Sequence, residues 1–300
     1  MKVVIAGGSG FIGKQLTELL VKNGHEVVIL SRGIKKSSEK VAYVPWLTEE
    51  ATPETELTKV DVVVNLAGVS INDGRWGGKH QKQIYDSRMI ATEELIRIIR
   101  SLDEKPTTFI NASAIGIYPA SIQKVYTEES EVMANDFLGR TVQDWENKAR
   151  RVEEWGIRTV FLRFGVVLGN DGGALPLMVL PYKLFVGGTV GSGQQWVSWI
   201  HFMDVVRAIV FVMDNQSIFG PVNVTAPNPV RMQPFGKTIA SVLNRPHWFP
   251  TPAFLMKLVL GKKSKLVLEG QQVLPKVLTQ EGFTFLYPTL EHALINLLKK

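Results

Sequence analysis

The sequence contains no cysteine among its 300 residues. This absence excludes disulfides, thiolate metal sites and cysteine nucleophiles together, and it fits a cytoplasmic protein. The five histidines show neither HxH nor HxxxH spacing, so we expect no metal site. No G-x-S-x-G segment occurs, which argues against a serine hydrolase.

Long hydrophobic runs are absent as well. The most apolar later stretch, residues 174–186, is interrupted by Pro176, Pro181 and Lys183, and it is too short to span a bilayer. The apolar run at the N-terminus stops at Gly7, too early for a signal peptide. We therefore expect no membrane partner.

Acidic residues are scarce in the second half of the chain. Residues 1–150 hold 19 Lys/Arg against 20 Asp/Glu, a net charge of −1, whereas residues 151–300 hold 15 against 8, a net charge of +7. The excess is either a solvated basic surface or a surface that faces an anionic substrate. No nucleic-acid recognition motif accompanies the charge, so we expect no nucleic-acid partner.

The first half alternates short apolar runs with helical patterns. Strands are predicted at Lys2–Ala6, 25–30, 61–66, 107–112 and 157–164, with helices between them that include residues 83–100. Such alternation predicts an α/β fold of the Rossmann type, a doubly wound parallel sheet. We assign residues 1–165 to a dinucleotide-binding domain.

After residue 165, glycine and proline become frequent and the strand and helix signals become short and mixed. Helical patterns are predicted at 203–213, 252–260 and 290–298, and short strands at 196–200 and 222–224. We predict that residues 166–300 form a smaller C-terminal substrate lobe, some of whose elements pack back on the sheet.

A glycine-rich turn joins the first predicted strand to the first predicted helix. Gly7, Gly10 and Gly13 are spaced G-x-x-G-x-x-G, and Phe11 and Ile12 complete the segment. Glycines at these positions allow a tight turn, close approach of a pyrophosphate and close packing of helix on strand. The alternatives are a mere tight turn and a nucleoside-triphosphate loop. The latter is disfavoured because Gln15 stands where a magnesium-binding Ser or Thr is needed.

The end of the second predicted strand indicates which dinucleotide is bound. An NAD site usually places an acidic residue there, but this strand ends in Ser31 and Arg32, with Lys35 and Lys36 beyond. A hydroxyl and a guanidinium suit a 2′-phosphate. The sequence therefore favours NADP(H), the alternative being a basic surface loop.

Several later segments resemble the extended short-chain dehydrogenase/reductases. The segments are NLAG at 65–68, FLRFGVVLG at 161–169 and WIHFMD at 199–204. Further segments resemble an atypical branch of that superfamily, bacterial epimerase-family proteins with a C-terminal domain of unknown function: RW at 75–76, SR at 87–88, DFL at 136–138, DWE at 144–146, GQQWVSWIH at 193–201, NVTAP at 223–227, EGQQVLPK at 269–276 and GF at 282–283. The resemblance implies the fold and the nucleotide site, with Ala67 and Gly68 beside the cofactor.

Ordinary members of the superfamily use a Tyr-x-x-x-Lys pair for proton transfer, and this sequence contains none. By the family spacing, Leu138 and Val142 occupy the two positions. Ser113 and Tyr118 are the candidate catalytic replacements, because they lie on a segment that resembles the family's serine strand. The alternatives are a strand-end serine bonded to backbone and a packed tyrosine.

Arg88 falls on an apolar stripe of its predicted helix, together with Ile84, Ala91 and Leu95. A charge that faces a core must be paired. We predict that Arg88 meets a cofactor phosphate, a ribose or a substrate anion, the alternatives being a structural ion pair and a side chain that reaches solvent.

These observations predict an NADP(H)-binding, epimerase-like oxidoreductase that acts on a small polar or anionic substrate, as a monomer or homodimer. The substrate is expected between the strand ends and the loop at 187–193. The alternative is a non-catalytic NADP(H)-binding sensor or interaction protein, which the missing Tyr-x-x-x-Lys supports.

Overall fold

A computed structural model describes residues 1–33, 37–74 and 76–299 of the chain. Within these ranges the strands are β1 (Lys2–Ala6), β2 (Glu26–Ser31), β3 (Val41–Pro45), β4 (Val62–Asn65), β5 (Thr108–Ala114), β6 (Val125–Tyr126), β7 (Arg158–Phe164), β8 (Val166–Leu168), β9 (Trp196–Val197), β10 (Trp199–His201), β11 (Gly220–Val224), β12 (Val230–Arg231) and β13 (Gln272–Val273).

The α-helices of the same ranges are α1 (Phe11–Lys22), α2 (Gly78–Ser101), α3 (Phe137–Ala149), α4 (Leu175–Lys183), α5 (Phe202–Asp214), α6 (Met232–Leu243), α7 (Ala253–Leu260), α8 (Lys265–Leu268), α9 (Lys276–Gln280) and α10 (Leu290–Leu298). Short 3₁₀ helices lie at Pro53–Thr55, Ile115–Ile117, Arg150–Trp155 and Gly261–Ser264. None of the helices in the described ranges combines the length and apolarity that a membrane span needs.

Seven strands form one sheet in the order β11-β7-β5-β4-β1-β2-β3, and every neighbouring pair is parallel. The chain steps outward from β1 through β2 to β3, then returns to the other side of β1 with β4. A crevice opens at such a reversal, outside the carboxyl ends of the strands. The predicted doubly wound parallel sheet is confirmed.

The sheet is covered on both faces because its central strands are apolar on both faces. Val3 and Ile5 of β1 pack into a core that includes α1 and α5. Val4 and Ala6, which point the other way, pack into a core that includes α2. The alternation of side chains along β1 thus divides the interior into two layers, and the carboxyl edge of the sheet stays open between them.

Residues beyond 165 contribute to this sheet and also build a separate layer. β11 pairs with β7, and α5 packs against α1. α4, α6 and α10 form a third core, whereas Leu278 of α9 packs in the core that includes α1 and α5. Three two-stranded sheets, β8 with β10, β9 with β12 and β6 with β13, connect this layer to the main sheet. The division of the chain at residue 165 stays a prediction.

Candidate functional site

The turn after β1 leaves no space for a side chain at two of its glycines. Gly7 has a φ of +81°, and a Cβ there would lie 2.7 Å from the carbonyl carbon of Leu66. A Cβ on Gly13 would lie 2.3 Å from the carbonyl oxygen of Gly7, so α1 packs directly on the turn. Glycine is required at both positions, and the backbone at the carboxyl edge is left bare for a ligand to approach.

The N-terminus of α1 points out of this turn. Gly10 is its N-cap residue and offers no side-chain hydrogen bond, and the first turn carries no acidic side chain. The first N–H groups of a helix have no intrahelical partner and lie at the positive end of its dipole. The N–H groups of Phe11, Ile12 and Gly13 therefore form a site suited to a phosphate group.

The ring of Phe11 has a different role from its N–H group. It packs on the ring of Phe202 at a centroid distance of 5.5 Å. It also fills the space above Gly169 and Gly172, where added Cβ atoms would lie 2.1 Å and 2.5 Å from ring atoms. Phe11 thus fastens the start of α1 to the loop after β8, and only its backbone is left for a ligand.

The second strand ends beside the glycine turn. The Ser31 hydroxyl donates to the carbonyl oxygen of Gly33 at 2.9 Å, and the Arg32 side chain is exposed. A 2′-phosphate would meet a hydroxyl and an exposed cation here, and the strand end itself supplies no carboxylate. Lys35 and Lys36, which the sequence also pointed to, lie outside the described residues.

Arg88 lies under the loop that follows β4. Its Nη1 donates to the carbonyl oxygens of Ile84, at 2.9 Å, and Val69, at 3.1 Å. The guanidinium is in contact with Gly68, where a Cβ would lie 3.2 Å from the Arg88 Cζ, and it lies 5.1 Å from the centre of the Trp145 ring. The predicted stripe is present, with Arg88 half-buried on it.

This arginine is a cation without an anionic partner among the described residues. None of the ion pairs formed within the described ranges includes Arg88. Burial lowers the pKa of Arg88 to about 10, so it remains charged at neutral pH. A desolvated charge of this kind is stabilised when an anion reaches it.

Buried amides hold the loop after β4 in place. The Asn65 side chain donates to Asn111 Oδ1 at 2.7 Å and to Thr92 Oγ1 at 3.1 Å, and it accepts from the N–H of Ala67 at 3.1 Å. Thr92 also accepts from Trp145 Nε1 at 2.9 Å. Asn65 and Asn111 face each other in the register of β4 and β5. This network was not predicted from the sequence, although asparagines inside buried apolar strands are a signal for it.

Ser113 is bonded to a buried ion pair. Its hydroxyl donates to Glu146 Oε1 at 2.5 Å, and Arg163 donates to the same carboxylate through Nε and Nη2, both at 2.8 Å. All three side chains are buried. Arg163 was part of the family-like segment, but the sequence analysis gave it no role. The signal in the sequence was the charge of Arg163 within an apolar strand, since a buried charge needs a partner.

Tyr118 lies at the other end of the same network. Arg163 Nη1 donates to the Tyr118 hydroxyl at 2.8 Å, and that hydroxyl donates to Asn223 Oδ1 at 2.9 Å. Only 1% of Tyr118 is exposed, and burial raises the pKa of its phenol despite the nearby Arg163. The two catalytic candidates, Ser113 and Tyr118, are therefore linked through Glu146 and Arg163.

Leu138 and Val142 lie in α3, whose N-cap is Asp136. The Asp136 carboxylate accepts from the N–H of Gly139 at 3.0 Å. Leu138 packs near Gly116, where a Cβ would lie 3.6 Å from the Leu138 Cβ, and Val142 is buried in an apolar cluster. Neither residue can transfer a proton.

Segments from the C-terminal half border the mouth of the crevice. Lys263 Nζ donates to the carbonyl oxygen of Asn72, in the loop after β4, and Lys265 lies 3.4 Å from the carboxylate of Asp136. Arg75, in the same loop, lies outside the described residues. The loop at 187–193 packs on Tyr182 and Phe249.

No group of three or more His, Asp or Glu side chains in the described ranges could hold a metal ion.

Comparison with known proteins decides the family. Residues 3–224 match the NAD dependent epimerase/dehydratase family, and residues 251–297 match a domain of unknown function. The chain belongs to the NAD dependent epimerase/dehydratase family. The resemblance drawn from the sequence motifs is thereby confirmed.

Relatives and a solved structure match over almost the full length. The chain is 50% identical to the epimerase family protein YfhF of Bacillus subtilis, over 99% of this chain and 98% of that one. It is 44% identical to an epimerase family protein of Staphylococcus haemolyticus, over 98% of each chain. The crystal structure of the human epimerase family protein SDR39U1 with NADPH superposes with a TM-score of 0.88, at 32% identity and 99% coverage of both chains.

Proposed function

We propose that this protein binds NADP(H) at the carboxyl edge of its sheet and uses it in oxidoreductase or epimerase chemistry. The observation that carries the proposal is the turn around Gly7 and Gly13, where a Cβ would collide with backbone, together with the uncapped start of α1. The pyrophosphate would be held by the N–H groups that follow Gly10.

The strand end after β2 supports NADP(H) rather than NAD(H). Ser31 and the exposed Arg32 would hold the 2′-phosphate, since a guanidinium can donate two hydrogen bonds to it. The NADPH bound to the human relative supports the same choice. Ala67 and Gly68 would line the cofactor, and Arg88 beneath them would meet a phosphate, a ribose or a substrate anion.

Bound there, NADPH supplies a hydride. A small polar or anionic substrate would lie at the carboxyl edge of β5, near Ser113. The proton-transfer role of Ser113 and Tyr118 stays a prediction. Because both hydroxyls are buried and bonded to the Glu146–Arg163 pair, the contacts favour a positioning role for them. Cytoplasmic location and a monomeric or homodimeric state also stay predictions.

Titration of the purified protein with NADPH and with NADH tests the proposal. We expect tighter binding of NADPH. In Arg32→Ala, the affinity for NADPH should fall about tenfold or more while the affinity for NADH stays unchanged, since only NADPH carries the 2′-phosphate. Arg100→Ala, which removes an exposed arginine at the far end of α2, is the matched control. Preference for NADH in the wild type would contradict the proposal.

A second candidate is a non-catalytic NADP(H) sensor, and the apolar Leu138 and Val142 favour it. An oxidoreductase would turn over NADPH with a substrate, whereas a sensor would only bind it. Oxidation of NADPH by the purified protein with any carbonyl metabolite would reject the sensor. Tight NADPH binding without turnover across polar and anionic carbonyl compounds would support it.

A further inference from the structure

The net positive charge of the second half comes from one acid-free stretch. Residues 215–268 contain seven lysines and arginines and not a single aspartate or glutamate. The net charge of residues 151–300 is also +7, so this stretch alone accounts for the imbalance between the two halves of the chain. A solvated surface normally mixes both signs of charge, so a segment this long without an acid is unusual.

The same stretch carries α7, an exposed helix of apolar composition. No residue of α7 is buried, although seven of its eight residues are apolar. Phe254 is 67% exposed and Leu258, one turn later, is 80% exposed. Apolar side chains of this size are ordinarily turned inward, so a helix of this composition on the surface indicates a surface that becomes covered.

The segment just before α7 in the chain also exposes apolar side chains. Trp248 is 70% exposed and Phe249 is 56% exposed. Trp248 Nε1 donates to the carbonyl oxygen of Phe185 at 2.8 Å, which fixes the indole beside the exposed Phe185 that follows α4. We call the residues Phe185, Trp248, Phe249, Phe254 and Leu258 the apolar patch.

Unpaired cations border the apolar patch. Lys257 lies on α7 one turn after Phe254, and Lys262 follows the helix. Both are exposed, and neither takes part in an ion pair among the described residues. Arg245 stacks on the ring of Phe185 at 4.4 Å from its centre. Exposed apolar side chains bordered by unpaired cations are suited to the interface of a bilayer. There the apolar groups meet acyl chains and the cations meet anionic headgroups.

We propose that the apolar patch binds peripherally to a membrane surface that contains anionic lipid. Phe254 and Leu258 would enter the headgroup region, Trp248 would lie at its boundary, and Lys257 and Lys262 would meet lipid phosphates. The expectation of no membrane partner rested on spanning segments, and peripheral binding needs none.

Charge complementarity distinguishes a lipid surface from a second copy of the chain. In a two-fold interface each protomer presents the same patch, so the cations that border the patch would be gathered from both protomers in one interface. Like charges across an interface are unfavourable, whereas an anionic bilayer neutralises them. The mouth of the crevice lies close by, since Leu258 and Lys262 share a small cavity with Trp76. The active site would therefore open beside the membrane surface.

Co-sedimentation of the full chain with vesicles tests the proposal. We expect binding to vesicles of phosphatidylcholine and phosphatidylglycerol in equal parts, weak binding to phosphatidylcholine alone, and release from the mixed vesicles at high salt. The double variants Phe254→Ser/Leu258→Ser and Lys257→Gln/Lys262→Gln should each bind the mixed vesicles about tenfold less. These side chains are exposed, so both variants should keep the melting temperature of the wild type.

Phe219→Ser is the matched control, because Phe219 is 75% exposed but lies just before the amino end of β11, outside the apolar patch. It should bind like the wild type. Absence of binding to the mixed vesicles overturns the proposal, as does an equal loss in Phe219→Ser. Light scattering that shows a dimer dissociated by Phe254→Ser/Leu258→Ser, without vesicle binding, would assign the patch to an interface between copies instead.

Discussion

Arg88 lies in an unusual environment for an arginine. Its charge is held under Gly68 by two carbonyl oxygens, with no carboxylate beside it among the described residues. Replacing it by glutamine keeps a hydrogen-bond donor and removes the charge. We expect Arg88→Gln to weaken NADPH binding about tenfold to a hundredfold, the value of one charge-assisted contact.

Fluorescence or calorimetric titration measures this change. Arg100→Gln on the same helix is the control and should leave the affinity unchanged, because Arg100 is exposed at the other end of α2. An unchanged affinity of Arg88→Gln for both the cofactor and a turnover substrate would mean that Arg88 serves the fold alone.

His201 gives the fold a dependence on pH. Its Nδ1 accepts from the N–H of Met203 at 3.1 Å, which caps α5, and its Nε2 lies 3.2 Å from Asn296 Oδ1. The ring is fully buried, and burial lowers its pKa to about 4 from an ordinary value of 6.5. Since Nδ1 accepts a hydrogen bond, the neutral ring carries its proton on Nε2 and donates it to Asn296.

The unfolded chain binds a proton at this histidine between pH 6.5 and pH 4, and the folded chain does not. The free energy of unfolding should therefore fall as the pH drops through this window, with a slope of up to about 1.4 kcal/mol per pH unit from this group. In His201→Asn the asparagine can still cap α5 but cannot titrate. Urea unfolding at several pH values should show a flatter profile for the variant, and a wild-type slope in His201→Asn would contradict this assignment.

The Glu146–Arg163 pair also illustrates what could not be predicted at the scale of the residue. Both residues belong to segments that the sequence analysis singled out, but their contact joins a helix to a strand and depends on how α3 lies against the sheet. The spacing of residues along the chain does not predict how α3 packs against the sheet. The assignment of Leu138 and Val142 to the two positions of the missing pair, by contrast, uses only the family spacing along the chain, and it stays a prediction.

At the scale of the element, the turn between β1 and α1 is the most constrained segment of the site. A methyl group on Gly13 would meet the carbonyl oxygen of Gly7 at 2.3 Å and the Cα of Gly8 at 2.6 Å. We expect Gly13→Ala to push α1 away from β1, to destabilise the fold by about 1–3 kcal/mol, and to abolish NADPH binding.

Gly78→Ala serves as the control for this variant, because an added Cβ at Gly78 meets no neighbouring atom and the residue begins a helix. Its stability should equal or exceed that of the wild type. Thermal melts combined with NADPH titration separate the two effects. A Gly13→Ala protein that melts at the wild-type temperature and binds NADPH with the wild-type affinity would contradict the role of this turn in holding the pyrophosphate.

α3 and β7 are joined by the buried ion pair of Glu146 with Arg163. Removing one partner leaves a buried charge uncompensated, so Glu146→Gln and Arg163→Met should each lower the free energy of unfolding by about 3–5 kcal/mol. The double variant should lose clearly less than the sum of the two losses. Denaturant unfolding of the four proteins measures the coupling, and strictly additive losses would contradict it.

Elements with strong periodicity were predicted closely. β1 (Lys2–Ala6) and α10 (Leu290–Leu298) have the predicted bounds. α2 begins five residues before the predicted start, because Gly77 and Gly78 carry no capping side chain that could mark its start. β3 was missed although residues 41–44 form a short apolar run; it is an edge strand of which only Val44 is buried, and it ends in Pro45. α6 was missed because Pro234 and Gly236 lie inside it, and both residues are typical of loops.

At the scale of the whole molecule, the sheet depends on both halves of the chain. The side chains of β7 pack in the same core as α5, and the outer edge of β7 pairs with β11. A fragment that ends at residue 165 would lack both. We expect it to aggregate or to unfold without cooperativity, whereas the full chain should unfold in a transition on which tryptophan fluorescence and circular dichroism agree.

A fragment of residues 1–165 that unfolds cooperatively would contradict this expectation. It would also give direct support to the predicted domain boundary. The sequence could predict that later elements return to the sheet, but the partner of β11 depends on long-range pairing that local patterns do not specify.

The late arrival of β11 has a consequence for biosynthesis. β7 is complete at Phe164, but the strand that covers its outer edge ends only at Val224, 60 residues later. At a synthesis rate of about 5–20 residues per second, the nascent sheet presents an unpaired hydrophobic edge for about 3–12 s. An open edge of this kind can pair with another nascent chain. We therefore expect chaperones to act on the ribosome-bound intermediate, in which the outer edge of β7 is still unpaired.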